Sequence, residues 1–165
     1  IVVESVYEAF LEKFKKQMAA AKTGDPNNDV DMGPMARPDL RDEVHDQVVR
    51  SVAKGAKLIL GGTIPDLGGA YYPPTILTDV VKGMPAYEEE IFGPVASVIK
   101  VKDEKEAVKV ANDSLFGLGG AVFTRDLKRG ERIAKHEIQS GSCFVNHFVK
   151  SDPKSSFLTF FYQNA

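Results

Sequence analysis

The chain has 165 residues, 43% of them hydrophobic and 27% charged, with a formal net charge of −2 and one cysteine. That balance excludes a disordered chain, and no apolar run approaches the ~20 residues of a membrane-spanning helix. A charge so near zero gives no support for nucleic acid or an anionic membrane surface as partner, and a lone cysteine fits a reducing, cytoplasmic compartment.

Ile1-Val2-Val3 reads as a strand and lacks an initiator Met. The basic leader and cleavage site of a signal peptide are absent, so the chain is expected to be a piece whose upstream part is missing. Ser5 with Glu8 forms a capping-box pattern that opens a first helix. Val6, Phe10, Phe14 and Met18 recur every four residues and predict its buried face, and Gly24-Asp25-Pro26 ends it. A second helix is predicted from Asp39 to Lys54, buried along Leu40, Val44, Val48 and Val52, with Gly55 as its left-handed terminal residue. Lys57 to Leu60 and Thr75 to Leu77 read as short strands.

Val95 to Val101 is rich in β-branched residues and predicts one strand. Asp103 with Glu106 caps a further helix with Ala107, Val110 and Ala111 on its inner stripe. Leu118 to Thr124 is a glycine-led strand. Asp126 opens another helix, with Leu127, Ile133, Ala134 and Ile138 as apolar positions, and Ser142 to Asn146 is a last strand. Helices alternate with strands, which predicts an α/β fold: a layered, mainly parallel sheet with flanking helices. No repeat and no internal boundary is visible.

Few residues offer chemistry on their own. Cys143 lies in a strand between Ser142 and Phe144, with no base beside it in sequence, and reads as a buried structural thiol. His45 and His136 fall on polar helix faces. His147 follows a strand end, where sites of α/β proteins gather. No set of these residues has metal-ligand spacing. Gly117-Leu118-Gly119-Gly120 lacks the last glycine of a dinucleotide fingerprint and runs into a strand instead of a helix.

The stretch Tyr87-Glu88-Glu89-Glu90-Ile91-Phe92-Gly93-Pro94-Val95 stands apart. Three carboxylates and an apolar pair meet a Gly-Pro stop ahead of a strand. Such a connection can present a carboxylate and a ring to a ligand that carries hydroxyls on one part and a flat ring on the next. The same residues are also compatible with a solvated acidic surface and a buried Phe92.

Glu89-Glu90-Ile91-Phe92-Gly93-Pro94-Val95 resembles a segment of the aldehyde dehydrogenase superfamily. So, in order and spacing, do Asp31-Met32-Gly33-Pro34-Met35, Gly55-Ala56-Lys57, Tyr72-Pro73-Pro74-Thr75, Ala111 to Leu118, Val122 to Asp126 and the strand ending in Asn146. The resemblance runs from Ile1 to about Pro153. It implies the C-terminal part of a catalytic domain over residues 1–153 and a tail outside the family over 154–165.

Members of this family oxidise aldehydes with NAD or NADP through a cysteine thioester, and a homo-oligomer is expected. By this resemblance Glu90 holds the nicotinamide-ribose hydroxyls and Phe92 lies against the nicotinamide ring. The family's nucleophile, general base and Rossmann-type cofactor fold all match positions upstream of Ile1. No catalytic residue is therefore assigned, and the chain alone is expected to be inactive.

Met35 to Glu43 and Ser151-Asp152 look most like bacterial succinate-semialdehyde dehydrogenases of the NAD(P) type. In that group a serine five residues after the strand-end asparagine helps to bind the substrate carboxylate, which makes Ser151 the substrate candidate. The competing expectation is a truncated gene product that persists only as a folded or self-associating module.

Overall fold

The computed structural model describes residues 1–150, and these sort into two compact units, one of Ile1–Lys102 and one from Asp103 onward. No composition change announces that division. The fold is α/β, as expected, but its strands form three small sheets instead of one layered sheet.

The first unit runs β1 (Val2–Val3), α1 (Glu4–Ala20), α2 (Pro38–Ala53), β2 (Lys57–Leu60), β3 (Thr75–Thr78), α3 (Pro85–Glu88), β4 (Val95–Ser97) and β5 (Lys100–Val101). β3 is central, antiparallel to β2 and parallel to β4, and all four of its residues are buried. Neighbouring residues of a strand face opposite sides of the sheet. Ile76 accordingly packs with Tyr7 and Val98 and with Leu11, Phe14 and Met18 of α1, while Leu77 packs with Val44, Val48, Tyr72, Val80 and Met84 on the α2 side. Two helices thus cover one sheet from opposite faces.

Several local expectations shift here. Ser5 lies inside α1, whose N-cap is Val3 and carries no side-chain bond, because the helix springs directly from β1. The capping box therefore does not form. The inner stripe of α1 is Tyr7, which is buried, with the half-buried Leu11, Phe14 and Met18, while Val6 and Phe10 are exposed. Both stripes have helical spacing, and packing against β3 selects between them. In α2 the inner positions are Val44, Val48 and Ser51, with Val52 exposed. Gly55 follows with φ +110°, as its terminal role requires.

The predicted strand Val95–Val101 changes partner halfway. The Val98 amide donates to Leu77 on β3, and the Ile99 carbonyl accepts from Val2 on β1. β4 and β5 therefore belong to different sheets, with β1 and β5 paired in parallel.

The second unit runs α4 (Glu104–Asn112), β6 (Gly120–Val122), α5 (Leu127–His136) and β7 (Cys143–Val145), with β6 and β7 paired in parallel. Both predicted caps form: Asp103 accepts from the Glu106 amide and Asp126 from the Arg129 amide. Its interior is thin. Ile133 is the one fully buried large apolar side chain among the described residues of this unit. Ala107, Val110 and Ala111 are only half-buried, and Leu127 is exposed.

Candidate functional site

The acidic stretch is built along one stripe of α2. Val44, Gln47, Val48 and Ser51 follow helical spacing and face the same side. The chain from Ala86 to Gly93 runs antiparallel to this stripe and touches it at successive points. Ser51 is fully buried; its hydroxyl donates to the Gln47 carbonyl at 2.7 Å and accepts from the Ala86 amide at 2.9 Å. From the residue just before, the Arg50 guanidinium donates two bonds to the Glu89 carboxylate, at 2.8 and 2.9 Å. Gln47 Nε2 donates to Glu89 at 3.1 Å and to the Glu90 carbonyl at 3.2 Å. At the far end the backbone of Gly93 lies on Val44: a Cβ there would stand 2.9 Å from both Val44 methyls, closer than any side chain tolerates.

Pro85 opens α3, the short helix that carries Glu88 toward the loop; at four residues it is too short to show a helical period in sequence. The Glu88 carboxylate accepts from the Gly83 amide at 2.9 Å. Downstream, the Pro94 carbonyl accepts from the Thr75 amide at 2.8 Å and hands the chain to β4. Ile91 packs against the core on the α2 side.

The three adjacent carboxylates therefore have three fates. Glu88 caps the turn at Gly83. Glu89 is forked to Arg50, and the hydrogen bonds from Arg50 and Gln47 pull its pKa down from 4.5 to about 2, so it is ionised through the physiological range. The Glu90 side chain is exposed and has no hydrogen-bond or ion-pair partner among the described residues. Phe92, two residues on, is 75% exposed and so is not the core residue that the alternative reading of this stretch requires. The loop is fixed on both sides of the two groups it leaves open.

The remaining candidates divide by place. Ser151 lies outside the described residues. Cys143 is half-buried, and burial pushes its thiol up, so it is a protonated thiol at neutral pH and lacks the activation a nucleophile needs.

His45, expected on a wet face, is instead half-buried, with Nδ1 3.2 Å from the hydroxyl of the buried Tyr72. Its position next to Val44 on α2 turns it toward the core edge. Burial also lifts the Tyr72 phenol to about 12. His136 is exposed as expected.

Asn146, in the left-handed region at φ +53°, closes the end of the β6–β7 pair. Its Oδ1 accepts from the Thr124 amide and its Nδ2 donates to the Thr124 carbonyl, both at 2.8 Å. His147 stacks on Phe148 and bonds that residue's carbonyl.

Among the described residues no group of His, Cys, Asp or Glu is arranged to hold a metal ion. No described helix is long and apolar enough to cross a membrane.

A model of the aldehyde dehydrogenase family matches residues 1–159. The chain is 44% identical over 158 residues to the succinate semialdehyde dehydrogenase NAD(P)+ Sad of Escherichia coli K12, covering 95% of this chain and 34% of that protein. It is 43% identical to the succinate-semialdehyde dehydrogenase (NADP(+)) of Mycolicibacterium paratuberculosis, covering 95% of this chain and 33% of that one. Among solved structures, succinic semialdehyde dehydrogenase from Streptococcus pyogenes in complex with NADP+ superposes with a TM-score of 0.87 at 36% identity, covering 92% of this chain and 33% of that chain. The chain thus spans about a third of the length of the curated relatives it matches.

Proposed function

The chain belongs to the aldehyde dehydrogenase family, and on that premise we propose that it forms the C-terminal part of the catalytic domain of an NAD(P)-dependent enzyme. That enzyme oxidises an aldehyde, succinate semialdehyde first, to the acid. The relatives named for that substrate support the choice.

One observation carries the proposal at this chain's own residues. Of three consecutive carboxylates, two are bound to the fold, and Glu90 is the one without a side-chain partner among the described residues, on a fixed loop beside an exposed aromatic ring. A carboxylate accepts hydrogen bonds from two vicinal hydroxyls, and a phenyl face packs on a planar heterocycle. Glu90 then holds the nicotinamide ribose and Phe92 the nicotinamide ring. Ser151 binds the substrate carboxylate, with its partners supplied by residues outside this chain. The cofactor contributes hydride acceptance. This chain contributes its orientation, which fixes the ring face and the distance to the reacting carbon.

On this reading the nucleophile and the general base come from residues other than those of this chain, and in isolation it is expected to turn over no aldehyde. A homo-oligomer in the cytoplasm completes the proposal.

The second reading, a folded module without catalysis, is favoured by the self-contained core of the first unit. Two measurements on the purified 165-residue chain test these readings. Succinate semialdehyde with NAD+ or NADP+ is expected to give no reduced cofactor, and measurable turnover would overturn the assignment of catalysis to other residues. Light scattering is expected to show association, and a monodisperse monomer would contradict it.

The cofactor reading is tested by a chimera in which this chain replaces the matching third of the Escherichia coli relative. Glu90→Gln and Phe92→Ala should each raise the cofactor KM, and a wild-type KM in both would end that reading.

A further inference from the structure

We infer that Arg50 and Gln47 of α2 are positioning residues for the cofactor: they hold Glu89 out of the ribose site so that Glu90 alone presents a carboxylate there. The inference rests on the proposed role of Glu90 and adds residues that lie some forty positions away in sequence.

Glu89 and Glu90 are chemically identical neighbours, and each could accept from ribose hydroxyls. Two free carboxylates on one loop would repel each other and compete for one ligand. The structure separates them by partner. Arg50 grips both oxygens of Glu89, a planar fork that matches the carboxylate and fixes its direction. Arg50 is itself held by Asp46 through its Nε at 2.6 Å, so the fork is braced from the helix. Gln47 adds a bond to Glu89 and another to the Glu90 carbonyl, which orients the next peptide.

Below the fork, Ser51 ties Ala86 down, and above it Gly93 rests on Val44. The loop is thus fastened on both sides of Glu90 and Phe92, neither of which is consumed in the fastening. Arg50 and Glu89 act through the backbone of Glu90, whose carbonyl Gln47 holds.

The inference is tested in the chimera with the Escherichia coli relative. Arg50→Met and Glu89→Gln are each expected to raise the cofactor KM about threefold, from the loss of a solvent-exposed pair that orients the loop. The rise in KM should exceed any fall in kcat, and the aldehyde KM should not move. The double variant should be no worse than either single one, because both break the same contact. Arg50→Lys should recover part of the loss, since a lysine gives one bond where arginine gives two.

Glu90→Gln runs alongside. If it raises the cofactor KM while Arg50→Met leaves it alone, the positioning role is wrong and the cofactor site stands. If Glu90→Gln also changes nothing, the cofactor reading itself fails. If the chimera does not fold, hydrogen exchange over residues 89–93 of the 165-residue chain decides. Faster exchange in Arg50→Met and Glu89→Gln, with β3 unchanged, supports the inference. Unchanged exchange overturns it.

Discussion

The two units of this chain differ in how far each closes on itself. In the first, β3 is buried on both faces between α1 and α2, and Ile76 and Leu77 are wholly inaccessible. In the second, Leu115, Leu118, Phe123, Leu127 and Phe148 are all more than half exposed, Leu115 at 94%, and Ile133 is the one large apolar side chain buried among its described residues. Apolar area removed from water is the main stabilising term, so a unit that leaves this much uncovered holds itself together weakly. The candidate site stands on the well-packed unit. A loop presenting a carboxylate and a ring at fixed places needs a rigid base, and α2 packed on β3 is one.

That contrast gives the largest expected effect. Leu77→Ala should destabilise the first unit by about 3 kcal/mol, the cost of deleting a buried side chain and leaving a cavity. Leu115→Ala should change stability by about 0.5 kcal/mol or less, because the side chain is already in water. Urea unfolding of both variants checks the pair, and equal losses would dissolve the comparison.

A smaller effect is expected where the loop meets the helix. Gly93→Ala forces a Cβ to 2.9 Å from the Val44 methyls and should cost about 1–3 kcal/mol by overpacking. Adding Val44→Ala should relieve the clash, so the double variant should lose less than the two single losses combined, again by urea unfolding. Ser51→Ala leaves the buried Ala86 amide without its acceptor and should cost about 1–2 kcal/mol in thermal unfolding.

The smallest effect is electrostatic. The folded-state pKa of Glu89 is depressed, from 4.5 to about 2. Its ion pair with Arg50 therefore contributes fully above about pH 4.5 and is lost as pH falls through about 2. Both side chains are about two-fifths exposed, so solvent screens the pair and its contribution is small. Glu89→Gln should remove that part of the acid-side slope while leaving the rest of the pH profile in place.

The elements were mostly legible in the sequence because their signals are local. Asp103 and Asp126 cap helices through amides three residues away, and Gly55 ends α2 by its own backbone freedom. What failed depended on partners. α1 carries two apolar stripes of helical spacing, and only contact with β3 chooses Tyr7 and Leu11 over Val6 and Phe10. The run Val95–Val101 looks like one strand until two different neighbours share it.

The site was legible in kind but not in detail. Glu88, Glu89 and Glu90 are the same residue type, and their roles are set by Gly83, by Arg50 and, for Glu90, by the lack of a side-chain partner among the described residues. Gln47 and Ser51 interrupt an otherwise apolar stripe of α2, which is the one sequence signal that could have marked that face as a polar docking strip. Pairings across 35 to 43 positions carry no local pattern.

Amide hydrogen exchange on the 165-residue chain tests most directly whether the candidate site stands on the unit that closes its own core. The amides of Ile76 and Leu77 in β3, and those of Val44 and Val48 in α2, should show the slowest exchange in the chain, with β6 and β7 exchanging faster. Protection of β6 and β7 equal to or greater than that of β3 would contradict the account.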